Sequence, residues 1–289
     1  MKIKELVRRG RNSQLKLNNY SQGKIDEIIT AVAWEIIKPD NNKMLSEKAV
    51  RDTGLGNVND KILKNKRKTI GLLRDLKNIK TSGIIKKDIK KGLIHIARPV
   101  GLIGAMTPAT NPVATPLNKI INALKCRNSI ILSPSPKAAR VCSKVVKLAQ
   151  TALARVGAPV NLVQSISPLS SLKDTLELFE LVDLVVATGA QKNIRDVVKT
   201  CTPTLGVGVG NVTSIIDVSA NLVDAAKKIT ISKTFDNSTS CSSENSIVVI
   251  DSIYKKFINY LEKNGGVFLN ATEKKTLKKK LWDNNHILN

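Results

Sequence analysis

Cys241 stands among residues that suit chemistry better than packing. It is flanked by Ser240, Ser242 and Ser243, with Asn237 just upstream, in the stretch Lys233-Thr-Phe-Asp-Asn-Ser-Thr-Ser-Cys241. Structural thiols sit among apolar neighbours, so this polar setting predicts a solvated, hydrogen-bonded turn in which a thiolate can act as a nucleophile. Upstream, Thr204-Leu-Gly-Val-Gly-Val-Gly-Asn211 carries three glycines that let backbone approach a ligand, but no acid or base. The pair points to thioester chemistry without a built-in activator of water. The glycine spacing is G-x-G-x-G, which is not the G-x-G-x-x-G dinucleotide fingerprint. Cys126 and Cys142 fall in predicted helices, where packing explains a thiol. With Cys201 they form no C-x-x-C pair, and His95 and His286 are the sole histidines, so neither a zinc site nor a disulfide framework is indicated.

These residues must be positioned by a sizeable core, and 289 residues at 42% hydrophobic are enough for one large core or two domains. Amphipathic spacing of Ile25, Ile28, Ile29, Val32, Ala33 and Ile36 predicts a helix over 18–38, closed by Pro39. A second helix is expected at 58–79. From Pro99 the pattern becomes short apolar runs alternating with longer amphipathic stretches. Strands are predicted at 100–105, 129–133, 161–165 and 184–188, and helices at 115–125, 137–156, 170–180 and 191–199. This rhythm implies a mostly parallel sheet with helices on both faces. Further strands are expected at 214–217 and 246–251, separated by a helix that starts near Leu222. In such sheets ligands collect at the carboxyl ends of the strands, where the loops 107–112, 133–136 and 187–190 are polar or small.

Forty-seven basic against twenty-three acidic residues give a formal charge of +24. The basic residues are spread along the whole length, aromatic residues are few, and no RNA- or DNA-reading motif is present, which argues against specific nucleic-acid recognition. Such a charge also suits polyanionic small molecules. No run approaches a membrane span and the first residues lack a leader's apolar core, so a soluble cytoplasmic protein is expected.

Six segments resemble the aldehyde dehydrogenase superfamily, and in particular its CoA-acylating branch. They are Ala97-Arg-Pro-Val-Gly-Leu-Ile-Gly104, Thr107-Pro-Ala-Thr-Asn-Pro112, Ile130-Ile-Leu-Ser-Pro-Ser-Pro136, Leu184-Val-Val-Ala-Thr-Gly-Ala190, Gly206-Val-Gly-Val-Gly-Asn211, and Ser232-Lys-Thr-Phe-Asp-Asn237 continuing through Cys241-Ser-Ser-Glu-Asn-Ser246. They occur in the family's order. The resemblance implies a Rossmann-like dinucleotide-binding domain with N-terminal helices over 1–235, and the start of a second α/β catalytic domain, incomplete, over 236–289. It implies Cys241 as the nucleophile toward an aldehyde and Asn111 as the side-chain amide that stabilises the developing alkoxide. Cofactor contacts carried over are Thr107, Pro108 and Ala109, Ser133 and Ser135 near the adenosine ribose, Thr188 and Gly189 near the pyrophosphate, and Gly206 and Gly208 of the glycine motif. Lys137 could pair with a 2′-phosphate, which allows NADP while NAD stays open.

Hydrolytic members of the superfamily carry a Glu in the glycine motif to activate water. Here that segment holds no carboxylate, so coenzyme A is the implied acyl acceptor and Glu244 is read as structural. The run Asn237-Ser-Thr-Ser-Cys-Ser-Ser-Glu-Asn245 looks most like sulfoacetaldehyde dehydrogenases, with acetaldehyde and succinate semialdehyde also open. The family continues well beyond the 48 residues that follow Cys241 (289 − 241). A truncated chain is therefore expected, forming a homo-oligomer if complete or needing a companion chain. The alternatives are an inactive remnant that binds nucleotide or a partner, and a non-specific polyanion binder.

Overall fold

The computed structural model describes residues 2–208 and 210–282 and falls into two compact units, Met1–Gly210 and Asn211–Asn289. The units divide upstream of the 235/236 division expected from the sequence. His286 lies outside the described residues.

The charged first residues form a helix that the sequence reading did not foresee, α1 (Ile3–Leu17), because Ile3, Leu6, Val7, Gly10, Gln14 and Leu17 share one buried face. Next comes α2 (Gln22–Ile37), capped by Ser21, whose hydroxyl accepts from the Lys24 amide at 3.2 Å. Pro39 does more than close this helix. It opens α3 (Pro39–Thr53), where proline's missing N–H costs nothing in the first turn, and Gly54 ends that helix at φ 68°. The next elements are α4 (Val58–Leu76) and an exposed antiparallel hairpin, β1 (Gly83–Asp88) with β2 (Leu93–Ala97), which carries His95.

The expected alternation then follows as β3 (Leu102–Thr107), α5 (Ala114–Lys125), β4 (Ser129–Pro134), α6 (Ala139–Arg155), β5 (Val163–Ser165), α7 (Leu172–Leu181), β6 (Leu184–Thr188), α8 (Gln191–Val198) and β7 (Thr204–Val207). All five strands from β3 onward are parallel, in the order β5-β4-β3-β6-β7. The chain moves outward from β3 to β5, then returns to place β6 on the other side of β3. The switch point therefore lies between β3 and β6, where the α/β rule puts a ligand crevice. The first part of the glycine run, for which the sequence analysis predicts no strand, forms the edge strand β7.

One sheet face packs against α2, α5 and α6 through residues such as Ile28, Ile120 and Val145, and the other against α1, α7 and α8 through Leu6, Phe179 and Val197. Burying each large aliphatic side chain contributes about 1.5–3 kcal/mol. Glycines permit the closest approaches. A Cβ at Gly104 would stand 2.8 Å from the Phe179 ring of α7. Gly101, at φ 123°, leaves room for the Asp183 carboxylate, which accepts from the Leu102 amide at 2.7 Å and pairs with Arg11 of α1 at 2.9 Å. One carboxylate thus ties the starts of β3 and β6 to the N-terminal helix.

The second unit holds β8 (Thr213–Ile216), α9 (Leu222–Thr234), β9 (Ser246–Val249), α10 (Asp251–Lys263) and α11 (Ala271–Leu281). Strands β8 and β9 are parallel, joined through α9, and Ile216, Ala226, Ile229 and Phe257 form their small core. No helix among the described residues is long and apolar enough to cross a membrane.

Candidate active site

The loops after β3, β4, β5 and β6 converge on one cleft of about 410 Å³ at the carboxyl ends of the strands. It is lined by Thr107, Pro108 and Ala109 after β3, Ser133 and Ser135 at β4, and Thr188 and Gly189 after β6, so these seven expected residues stand together. The loop after β5 adds Ile166 to Pro168 and Ser170 to Leu172, which the sequence reading did not include. Ser133 is fixed from below by Thr175 of α7, the two hydroxyls standing 2.9 Å apart. The Ser135 amide donates to the Thr107 carbonyl at 2.9 Å and joins the first two loops.

Thr107 is almost wholly buried, and its hydroxyl has no hydrogen-bond partner. A buried hydroxyl left unpaired costs about 1–3 kcal/mol, so its place in the cleft wall suits a polar ligand group. The small side chains and hydroxyls around it fit a nucleotide. Lys137 lies instead in a neighbouring cavity. Gly206 and Gly208 are not part of the cleft lining; they face α8. A Cβ at Gly206 would stand 2.9 Å from Ile194, and one at Gly208 would collide with the Gln191 side chain. Their evident role is close packing of β7 and its end against that helix.

Asn111 follows the cleft loop and is 7% exposed. Its backbone carbonyl accepts from the Thr115 amide at 3.2 Å at the start of α5. Its side chain is held differently. Lys64 of α4 donates to Asn111 Oδ1 at 2.8 Å, while Nδ2 donates to Thr110 Oγ1 at 3.3 Å and keeps a second hydrogen beyond that bond. Lys61, one turn earlier on the same helix face, donates to the Thr110 carbonyl at 3.3 Å. Both lysines are buried, and the space between them and the loop is about 10 Å³, close to a single water. A charge-assisted bond to Oδ1 polarises the amide and makes its N–H groups better donors. Sequence reasoning missed both lysines. The available signal was that the inward face of α4 carries Lys61, Lys64, Asn65 and Thr69 where an ordinary packed helix would carry apolar residues.

A third buried amine, Lys119 of α5, donates to the Val186 carbonyl of β6 at 3.0 Å. Burial disfavours its charged form and pulls its pKa down to about 8.

Cys241 lies in the second unit, exposed, in a tight turn. The Ser243 amide and hydroxyl both donate to the Ser240 carbonyl, at 3.2 and 2.9 Å, and the Ser240 and Ser242 hydroxyls stand 3.0 Å apart. This is the hydrogen-bonded, solvated turn that the serines predict. Just before it, Asp236, Asn237 and Ser238 take left-handed backbone conformations at φ 51°, 52° and 61°. Three consecutive non-glycine residues there are strained, each by about 1–2 kcal/mol, and the surrounding bonds must hold them. Buried Asp236 contributes, accepting from the Thr239 hydroxyl at 2.7 Å. Glu244 has one buried carboxylate oxygen without a hydrogen-bond partner.

The other thiols divide. Cys142 is buried in α6, and burial pushes its pKa up to about 12. Cys126, expected to be packed inside a helix, instead stands at the C-cap position of α5 and is exposed. Cys201 is exposed as well. Exposure alone therefore does not single out Cys241. Among the described residues no group of three His, Cys, Asp or Glu side chains could hold a metal.

Comparison with known proteins bears on this arrangement. The aldehyde dehydrogenase family profile matches residues 41–265. The chain is 51% identical over 280 residues to sulfoacetaldehyde dehydrogenase (acylating) from Cupriavidus necator, covering 97% of this chain and 57% of that protein. It therefore spans little more than half the length of this relative. The fold matches an acetylating aldehyde dehydrogenase from Geobacillus thermoglucosidasius with a TM-score of 0.91 at 35% identity, over 99% of this chain and 63% of that one. It also matches a Rhodopseudomonas palustris propionaldehyde dehydrogenase solved with bound CoA and an acylated cysteine, with a TM-score of 0.85 at 28% identity, over 98% and 64% of the two chains. On its sequence and its fold, the chain belongs to the aldehyde dehydrogenase family, in the CoA-acylating branch.

Proposed function

We propose that this chain carries the dinucleotide cleft and the nucleophile of an enzyme that converts an aldehyde, CoA and NAD(P)+ to acyl-CoA and NAD(P)H. The observation that carries this reading is the glycine strand β7 and its continuation to Asn211, which hold no carboxylate where hydrolytic relatives place their base. Cys241 supplies the thiolate that adds to the aldehyde carbon. The Asn111 amide donates to the alkoxide that develops there, the kind of interaction worth about 2.7–4 kcal/mol in acyl transfer. Thr107 to Ala109, Ser133, Ser135, Thr188 and Gly189 would hold the dinucleotide, which when bound would supply the hydride acceptor that turns the Cys241 adduct into an acyl thioester. Lacking a positioned base, water forgoes the roughly 10²- to 10⁴-fold that general-base catalysis contributes. The CoA thiol then takes the acyl group and frees Cys241.

Sulfoacetaldehyde is the aldehyde that this reading favours, supported by the 51% identical relative and by the serine-rich run around Cys241. The experiment follows NAD(P)H formation by the purified protein with each candidate aldehyde, with and without CoA. Reduction that requires CoA and yields acyl-CoA is expected. Free acid formed at a comparable rate without CoA would overturn the reading.

A further inference from the structure

The buried lysine that meets Asn111 belongs to a larger polar layer between α3 and α4. Asn65, next to Lys64 in sequence, donates from Nδ2 to Asn42 Oδ1 at 2.9 Å and to Ser46 Oγ at 3.3 Å, and Asn42 Nδ2 donates back to the Ile62 carbonyl at 3.0 Å. All three side chains are buried. They lock α4 to α3 at the level where Lys64 leaves the helix, so the ammonium is delivered from a fixed backbone. Stability alone does not account for an amine there, because apolar residues usually replace a buried charge without loss, and an ordered lysine forfeits much rotamer freedom.

An ammonium has donors and no acceptor, so it can bond only the oxygen end of an amide. Lys64 therefore holds Asn111 Oδ1 toward α4 and turns Nδ2 the other way. With the ends exchanged, donor would face donor in a space of about 10 Å³. Among the described residues Nδ2 makes one bond, to Thr110 Oγ1, which leaves its other hydrogen to offer. We propose that Lys64 is a positioning residue of the reaction, fixing which end of the Asn111 amide meets the alkoxide. The inference rests on the reading in which Asn111 donates to that alkoxide. Lys64 acts through the amide alone, so its removal costs less than removal of the amide and costs nothing once the amide is gone.

The test is a double-mutant cycle on the 289-residue chain, read as the rate at which acetyl-CoA acylates Cys241. In that step the thiolate adds to the thioester carbon, the carbonyl electron pair moves onto oxygen, and collapse expels the CoA thiolate. Asn111→Ala is expected to slow the maximal rate about 100-fold, the usual cost of an oxyanion donor. Lys64→Met should slow it about tenfold, with half-saturating acetyl-CoA and NAD+ affinity within about twofold. Added to Asn111→Ala, Lys64→Met should change the rate by less than about twofold. Asn111→Asp serves as a second variant in which Lys64 keeps its bond, now to a carboxylate. It should be at least as slow as Asn111→Ala, because an oxygen then stands where Nδ2 stood. A Lys64→Met rate within twofold of the unaltered chain, equal losses with and without Asn111, or a faster Asn111→Asp would overturn the role of Lys64. Normal acylation of Asn111→Ala would remove the amide from the reaction, and Lys64 with it. No adduct on the unaltered chain would overturn the thioester reading itself.

Discussion

The loop that carries Asn111 and the turn that carries Cys241 are held in opposite ways. Asn111 is buried, and its grip comes from a different element, through ammonium groups that α4 drives into the interior. Cys241 is exposed, and its turn is built from the hydroxyls and amides of its immediate neighbours. The contrast extends to the two units. Lys61, Lys64, Lys119 and Lys125 are all buried in the first, whereas no described lysine or arginine of the second is. A group that donates to developing charge works best when already fixed, since no reorganisation is then needed during reaction. A nucleophile must be reached by its substrate and then by an acyl acceptor, so an exposed turn suits it.

The sharpest way to break the contrast is Cys241→Ser. Incubation with acyl-CoA is expected to leave an acyl adduct on Cys241 of the unaltered chain, detected by intact-mass and peptide mapping. The variant should lose the adduct completely and keep dinucleotide affinity within about twofold. An adduct on Cys126 or Cys201 in place of Cys241 would reject the nucleophile assignment.

The buried ammonium of Lys119 predicts a pH dependence that belongs to the first unit. Its folded pKa of about 8 lies below the ordinary lysine value of 10.5, so between these values the unfolded state binds more protons and folding stability rises with pH. Below about pH 8 both states are protonated and the full penalty of burying the charge is present. The stability of the unaltered chain relative to Lys119→Met should therefore improve by about 3 kcal/mol between pH 7.5 and pH 10.5. Urea unfolding at a series of pH values measures this, and parallel curves for the two proteins would show that the amine is solvated.

A smaller effect tests the clamp itself. Lys64→Met leaves Asn111 Oδ1 buried without its donor and should lower stability by about 1–3 kcal/mol in urea unfolding. In the Cys241 turn, Ser242→Ala removes one exposed hydroxyl contact and should change stability by less than about 0.5 kcal/mol. Equal losses from the two substitutions would erase the distinction between a loop held from outside and a turn held from within.

The sequence by itself determined most of the β–α alternation from Leu102 to Val249, because those strands and helices announce their own period, whereas β7, α10 and α11 were not read from it. It also determined the polar turn at Cys241, whose hydrogen bonds join residues three or fewer positions apart. Helices α1 and α3 were missed for local reasons: the charges of the first obscured its buried face, and Pro39 was read as an ending although it also begins a helix. The seven cleft residues could be placed at strand ends from sequence, but their convergence depended on strand order, which brings β6 back beside β3. Lys61, Lys64 and Lys119 were not legible, because a lysine on a helix reads as solvated until the packing of its face is known. The facing of Gly206 toward α8 was likewise decided only in the folded chain. Local hydrogen bonding and periodicity are written along the sequence, whereas burial and charge juxtaposition depend on which distant elements pack together.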